Sequence, residues 1–334
     1  MINYDEFNDK TILITGGSGS IGSYLTEALL TTNCKSIRIL SNNEYELFTL
    51  EKKFPNSKKL RLLLGDIRDK NRIKVATDGV DIVFHAAALK HVPICEFNPF
   101  DAVQTNVIGT QNMIEACIQS NVEKFVFIST DKAASPLSTL GATKLLAERL
   151  TISAMAYRKS LSKPIMYCIR FGNVIGTKGS VLELFLDQVK QNIPLTITNN
   201  EMTRFTMTKN DAIDLILSTV QVAKGGEIFV LKMKSLKILD LAKSVISLYS
   251  KNPETHKIIE TEIREGEKLH ESLIAEDEIS RFKEFENMYV IPPPNSKEYD
   301  NLKSLENSYS SNQNKMMTIE EIQIMLNELD EFKF

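Results

Sequence analysis

A glycine-rich turn between an apolar strand and an amphipathic helix constrains the fold of this chain more than any other feature. Residues 10–15 read KTILIT, a short apolar run of the kind found in strands buried on both faces. Gly16-Gly17-Ser18-Gly19-Ser20-Ile21-Gly22 follows, then a helix-period run with Tyr24, Leu25, Leu29 and Leu30. Each glycine has a physical task. Gly16 makes the tight turn, Gly19 lets the backbone approach a pyrophosphate, and Gly22 allows close helix–strand packing. The helix N-terminus offers unpaired N–H groups to an anion. Strand before and helix after make this a dinucleotide cradle. Gly16, Ser18, Gly19, Ser20, Ile21 and Gly22 are its expected contacts.

Strands alternate with amphipathic helices from residue 10 to about 170. That alternation predicts an α/β chain with a doubly wound parallel sheet of the Rossmann type. Residues 125–129 and 165–170 are later strands of it. After Gly172-Asn173 the regularity breaks. Short strands at 195–198 and 227–231 mix with helices at 209–222 and 238–249, which reads as a smaller α+β domain. The expected division is 1–172 for the dinucleotide-binding domain, 173–291 for the substrate domain and 292–334 for a C-terminal arm and helix. The arm contains Pro292-Pro293-Pro294. Its helix starts at a capping box, Thr318 to Glu321, and places Ile322, Met325, Leu326 and Leu329 on one face.

Composition excludes several classes. Of 334 residues, 43% are hydrophobic and 25% charged, as in ordinary soluble proteins. A net charge of −3 offers no basic field to nucleic acid or a membrane surface. No apolar run is long enough to cross a bilayer. The acidic start, MINYDEF, reads against a secretory signal. The expectation is a cytoplasmic protein. Cys34, Cys95, Cys117 and Cys168 lack paired spacing and read as reduced thiols. The four histidines lack ligand spacing, so no metal is expected.

The second strand, residues 36–40, ends in Ser41-Asn42-Asn43-Glu44. An acid at such a tip bonds a free ribose 2′-hydroxyl, and an arginine pairs a 2′-phosphate. Neither is there in clear form, and Ser41 and Asn42 suit NAD or NADP.

Residues 125–149 read FVFISTDKAASPLSTLGATKLLAER. A strand ends in Ser129-Thr130-Asp131-Lys132, a turn with Pro136 follows, and a helix begins near Leu140. Short-chain dehydrogenases carry a catalytic Ser/Thr and a Tyr-x-x-x-Lys here. Lys144 is the lysine, but Leu140 stands where the tyrosine belongs, and Asp131 and Lys132 directly follow the hydroxyl residues. The stretch resembles the nucleotide-sugar 4,6-dehydratases that act on UDP-N-acetylglucosamine. Other matching motifs run in order from residue 10 to 290. They are Leu62 to Asp69, Asp81 to Ala88, Lys90 to Pro99, Arg170 to Val181, Glu201 to Phe205 and Arg264 to Glu271.

The resemblance implies a reaction in three parts. A hydride leaves C4 of the sugar, water is eliminated across C5–C6, and the hydride returns to C6. It implies that Lys144 bonds the nicotinamide ribose and Thr130 holds the C4 hydroxyl. Asp131 would be a neutral acid for the C6 hydroxyl, its pKa raised by burial. Lys132 would be a neutral base at C5, favoured by Lys144. With Leu140 unable to accept a proton, Asp131, or Thr130 relaying to it, is the candidate base for the C4 hydroxyl. Asp66 and Ile67 would cup the adenine, Ala86, Ala87 and Ala88 would line the ribose, and Asn106 would prop the strand. Lys90, His91, Asn173, Lys178, Val181, Thr203, Arg204, Glu267 and Lys268 would face the UDP-sugar, with Arg204 forked on a phosphate. Many members carry Ser-Arg-Asp after the second strand and use NADP. This chain departs from that, and the expectation is NADP before NAD, tightly bound and regenerated each turnover. A homo-oligomer and inversion at C5, the latter from Lys132, complete the expectation. A 4-epimerase is an alternative, although epimerases depend on the tyrosine that Leu140 replaces. A non-catalytic NAD(P)-binding regulator is another, opposed by the retained Asp131, Lys132, Lys144 and Arg204.

Overall fold

The computed structural model describes residues 4–156, 163–306 and 308–329. Residues 1–3, 157–162, 307 and 330–334, which fall within the three expected segments, lie outside the described residues. Apolar runs become strands as expected. In the first half these are β1 Thr11–Thr15, β2 Ser36–Ser41, β3 Leu60–Leu64, β4 Ile82–His85, β5 Lys124–Ile128 and β6 Ile165–Arg170. Then come β7 Asn173–Val174, β8 Leu195–Ile197, β9 Thr203–Met207, β10 Ile228–Leu231, β11 Lys234–Lys237, β12 Ile258–Glu260, β13 Lys283–Phe285 and β14 Met288–Ile291.

Nine strands form one sheet in the order β13-β14-β10-β6-β5-β4-β1-β2-β3. It is parallel from β3 to β10 and antiparallel at β14 and β13. All five residues of β1 are buried, as a strand covered by helices on both faces requires. The chain runs outward from β1 to β3, then crosses back to β4 on the other side of β1. Such a reversal opens a crevice at the carboxyl ends of the strands. The glycine turn after β1, the alanines after β4 and Thr130 after β5 all lie on that edge.

The stretch after residue 172 differs from a separate domain in one respect. It leaves the parallel sheet and later returns to it through β10, β13 and β14. Ile228, Phe229, Val230 and Leu231 are all buried, and only a place inside the large sheet covers both faces of such a strand. The remainder builds a sheet β11-β9-β7 and a pair β12-β8. The helices Val181–Lys190, Ile238–Tyr249 and Ile319–Asn327 pack with them around Leu182, Phe185, Leu241, Val245, Ile322 and Leu326. The last helix therefore docks on the body of its own chain. Among the described residues no helix is long and apolar enough to cross a membrane.

One buried ion network ties the two halves. Arg170, at the end of β6, makes a bidentate pair with Glu148 of the helix Thr139–Ser153. It pairs equally with Glu278 and donates to the Leu273 carbonyl. Every donor of this fully buried guanidinium is aimed at an oxygen, which is what makes its burial tolerable. The helix it holds carries Lys144.

Candidate active site

The turn after β1 has the shape of a dinucleotide cradle. Gly16 has φ +63, and a Cβ there would lie 2.7 Å from the Ala87 Cα. A Cβ at Gly22 would lie 2.3 Å from the Gly17 Cα. The helix Ser20–Leu30 has no side-chain cap at Gly19, so its first N–H groups face the crevice. Ile21, Ala86, Ala87 and Ala88 are half-buried around it. Asn106 props the β4 loop: its Oδ1 accepts from the Leu89 amide at 2.8 Å, and its Nδ2 donates to Thr143 at 3.0 Å. Ile67 is buried. Asp66 is already engaged by Arg68 through both oxygens and by Asn42. A base amine there must displace one of them.

β5 leads into the candidate triplet, Thr130, Asp131 and Lys132. Asp131 is fully buried, and its amide donates to the Phe171 carbonyl at 3.2 Å. Its Oδ1 accepts from the Thr130 hydroxyl at 2.7 Å and from the Lys132 ammonium at 3.0 Å. Its Oδ2 is buried and has no protein partner, leaving an acceptor for a ligand. Lys132 also lies 3.4 Å from Glu271 Oε1. Arg204 and Lys268 approach the same buried glutamate at 4.0 and 3.9 Å.

This arrangement reverses the expected charge states. Burial pushes the Asp131 carboxyl up, but Lys132, Thr130 and Arg204 together bring it below its ordinary value. Burial works against the Lys132 charge, but Asp131 and Glu271 outweigh it and raise the pKa. At rest the acid is ionised and the amine is charged, because two carboxylates face Lys132. Lys144 is aimed at the end of β5. It donates to the Ile128 carbonyl at 2.6 Å and lies 4.2 Å from the Phe127 ring centroid. Burial lowers its pKa to about 8 against the pull of Glu148. Leu140 packs with Cys95 and Ala102 in a small apolar cluster.

On the substrate side, two loops close over the glycine turn. The Lys90 ammonium donates to the Lys178 carbonyl at 2.5 Å, and the Lys178 amide donates to Ser20 Oγ at 3.2 Å. A Cβ at Gly179 would lie 2.5 Å from the His91 ring. Asn173 lies in β7, and Val181 opens the helix Val181–Lys190. Lys268 donates to the Ala134 carbonyl at 2.8 Å, beside the triplet. Thr203 does not fit its expected place facing substrate. It is buried in β9, with its hydroxyl 2.8 Å from His270 Nδ1 and 2.7 Å from Ser311 Oγ. Arg204 is also engaged within the protein. Nη1 donates to the carbonyls of Thr203 and Leu269, and Nη2 lies 3.5 Å from Glu267. A diphosphate would have to displace Glu267 to meet its fork.

Residues 12–293 match the family described as "Polysaccharide biosynthesis protein". The chain belongs to that family. It is 43% identical over 292 residues to the UDP-N-acetylglucosamine 4,6-dehydratase (inverting) of Campylobacter jejuni strain 81-176, covering 86% of this chain and 84% of the relative. It is 50% identical to "Uncharacterized membrane protein MJ1061" of Methanocaldococcus jannaschii, over 97% of both. The X-ray structure of Pen from Bacillus thuringiensis superposes with a TM-score of 0.90 at 41% identity, covering 96% of this chain and 98% of that one. Other relatives carry the name UDP-glucose 4-epimerase. This branch of the polysaccharide biosynthesis proteins is thus a dehydratase and epimerase type of enzyme on the short-chain dehydrogenase fold.

For this family member, sequence reasoning missed three side chains. Glu271 was inside a quoted motif without a role, and only the folded chain sets it against Lys132. Ser180 precedes the helix Val181–Lys190, and its hydroxyl is buried without a partner. A serine just before an amphipathic run reads as a cap, but this hydroxyl makes no cap bond. Glu46 lies one turn beyond the β2 tip, in the first turn of the helix Glu44–Lys53.

Proposed function

We propose that the chain is a UDP-N-acetylglucosamine 4,6-dehydratase that uses a nicotinamide dinucleotide, NAD or NADP. The observation that carries this reading is the open Oδ2 of Asp131 within the Thr130-Asp131-Lys132 cluster. It sits at the carboxyl end of a central strand, where α/β ligands bind. The glycine turn, with no room for a Cβ at Gly16, supports the dinucleotide. When bound, the dinucleotide supplies a reversible acceptor for the C4 hydride.

The chain's own groups handle the protons. Thr130 orients the C4 hydroxyl, whose proton passes to ionised Asp131. The acid is then neutral and gives that proton to the C6 hydroxyl, which leaves as water. Loss of the Asp131 charge also removes the nearest counter-charge on Lys132. Its pKa falls, and the partly exposed ammonium can release its proton to water. The free amine then accepts the C5 proton and later returns it. Charge is balanced throughout, and the C5 base forms only after C4 is oxidised. Return of that proton by Lys132 to the face it left would retain C5, and the inverting outcome needs the C5 proton to come from a donor on the opposite face.

Incubation with UDP-N-acetylglucosamine and cofactor tests the reading. A 4-keto-6-deoxy product is expected, and NMR of product formed in deuterated water reads C5. The galacto epimer would favour the second reading, a 4-epimerase, which the epimerase names among relatives support and Leu140 opposes. No turnover would favour the regulator.

A pH dependence follows from Lys144. Its charge is needed at the nicotinamide ribose, and its pKa is about 8. As pH rises through that value the charge is lost, so kcat/KM, which reports the free enzyme, should fall. Lys132, held above its ordinary value, stays charged in that range. A profile level to about pH 9.5 would remove Lys144 from the role.

A further inference from the structure

We infer that Glu46 sets the cofactor: it holds the adenosine ribose of NAD and turns away the 2′-phosphate of NADP. The inference rests on the dinucleotide reading above and goes beyond it. Glu46 lies in the first turn of the helix Glu44–Lys53, its amide capped by Asn43 Oδ1 at 3.1 Å. Its carboxylate reaches back to the cradle. Glu46 Oε2 lies 2.9 Å from the hydroxyl of Ser18 in the glycine turn. Ser18 Oγ lies 2.7 Å from Ser41 Oγ at the tip of β2. A carboxylate only accepts, so Ser18 donates to Glu46. The acid thus stands between the turn that takes the pyrophosphate and the strand tip beside which the ribose lies.

An acid in that place accepts from a free 2′-hydroxyl and repels a 2′-phosphate. Of the cations along this edge, Arg72 donates through Nε to the Leu64 carbonyl at 2.9 Å, and two others are tied to acids or carbonyls. Arg68 is chelated by Asp66 at 2.7 and 3.0 Å, with Asn42 on the same carboxylate. Lys90 donates to the Lys178 carbonyl and is balanced by Glu46 and Glu183. A dianionic phosphate would meet the Glu46 carboxylate there. The inferred order, NAD before NADP, is the opposite of the one expected from sequence.

The test is equilibrium titration of the full chain, stripped of nucleotide, with NADH and with NADPH, read by nicotinamide fluorescence. NADH should bind at least about tenfold more tightly, the scale of like charges a few ångströms apart near a surface. The gap should narrow in about 0.5 M salt. Glu46→Gln should bring the two affinities within about threefold of each other, mainly by tighter NADPH binding, since the repulsion is removed. Glu46 is half-exposed, and circular dichroism checks that the variant is folded. NADPH binding as tightly as NADH to the wild type, or an unchanged ratio in Glu46→Gln, overturns the inference and leaves the dehydratase reading standing. Binding of neither dinucleotide overturns both.

Discussion

Asp131→Asn is expected to lower turnover at least about a hundredfold, in line with the usual contribution of a positioned acid–base group. Dinucleotide binding should be unchanged. Asparagine keeps the shape and can still accept from Thr130 at the Oδ1 position. It cannot take a proton from the C4 hydroxyl, and without that proton it cannot assist departure of the C6 hydroxyl. Two of the three proposed parts of the reaction pass through one carboxyl group, so the variant fails at the first. The fold should hold, because Glu271 still faces Lys132 once the Asp131 charge is gone. Single-turnover conversion of UDP-N-acetylglucosamine and titration with NADH, side by side, make the measurement. A loss smaller than about tenfold would place the acid–base role elsewhere.

What could be read from the sequence was what the chain decides locally. The glycine turn, its strand and its helix are neighbours in sequence, so the cradle was legible before any fold existed. Thr130, Asp131 and Lys132 are likewise adjacent, and a strand end brings them to one edge. The charge on those groups was not legible. Lys132, Thr130 and Arg204 hold Asp131 ionised, and Asp131 together with Glu271, which enters from a distant loop, holds Lys132 charged. Thr203 failed for the same reason: its hydroxyl partners, His270 and Ser311, lie 67 and 108 residues away. The return of residues 228–231 to the large sheet was hidden too. A short apolar strand has the same pattern in either sheet, and only pairing with β6, Ile228 opposite Cys168 and Phe229 opposite Ile169, decides it. Glu46 was hidden by a rule applied too narrowly. The acid that meets a ribose need not stand at the strand tip if the next helix can reach back.

Lys132→Gln should abolish turnover to a similar degree and also destabilise the protein, and the two effects can be separated. The ammonium lies between Asp131 and Glu271, whose side chains are 1% and 3% exposed, while its own is 27% exposed. Removing one partner of a fully buried ion pair costs about 3–5 kcal/mol. The partial exposure of Lys132 brings the expected loss down to about 1–3 kcal/mol. The pH dependence of that loss has a definite sign. In the wild type the Asp131 carboxyl is held below its ordinary value, so it contributes stability above the unfolded pKa and loses it as pH falls. Without Lys132, burial, the largest influence on the carboxyl, is opposed only by Thr130 and Arg204 and should raise it above its unfolded value. The variant should then be weakest near neutral pH and regain stability as pH falls through the raised value. Adding Glu271→Gln removes the surplus negative charge. The double variant should recover at least about half of the lost stability, a coupling that a double-mutant cycle measures directly. It should recover no activity, because the amine that acts at C5 is still missing. Chemical denaturation at two pH values and turnover of all four proteins give the answer. A double variant that turns over near the wild-type rate would show that Lys132 only balances charge, and the C5 proton would then need another acceptor.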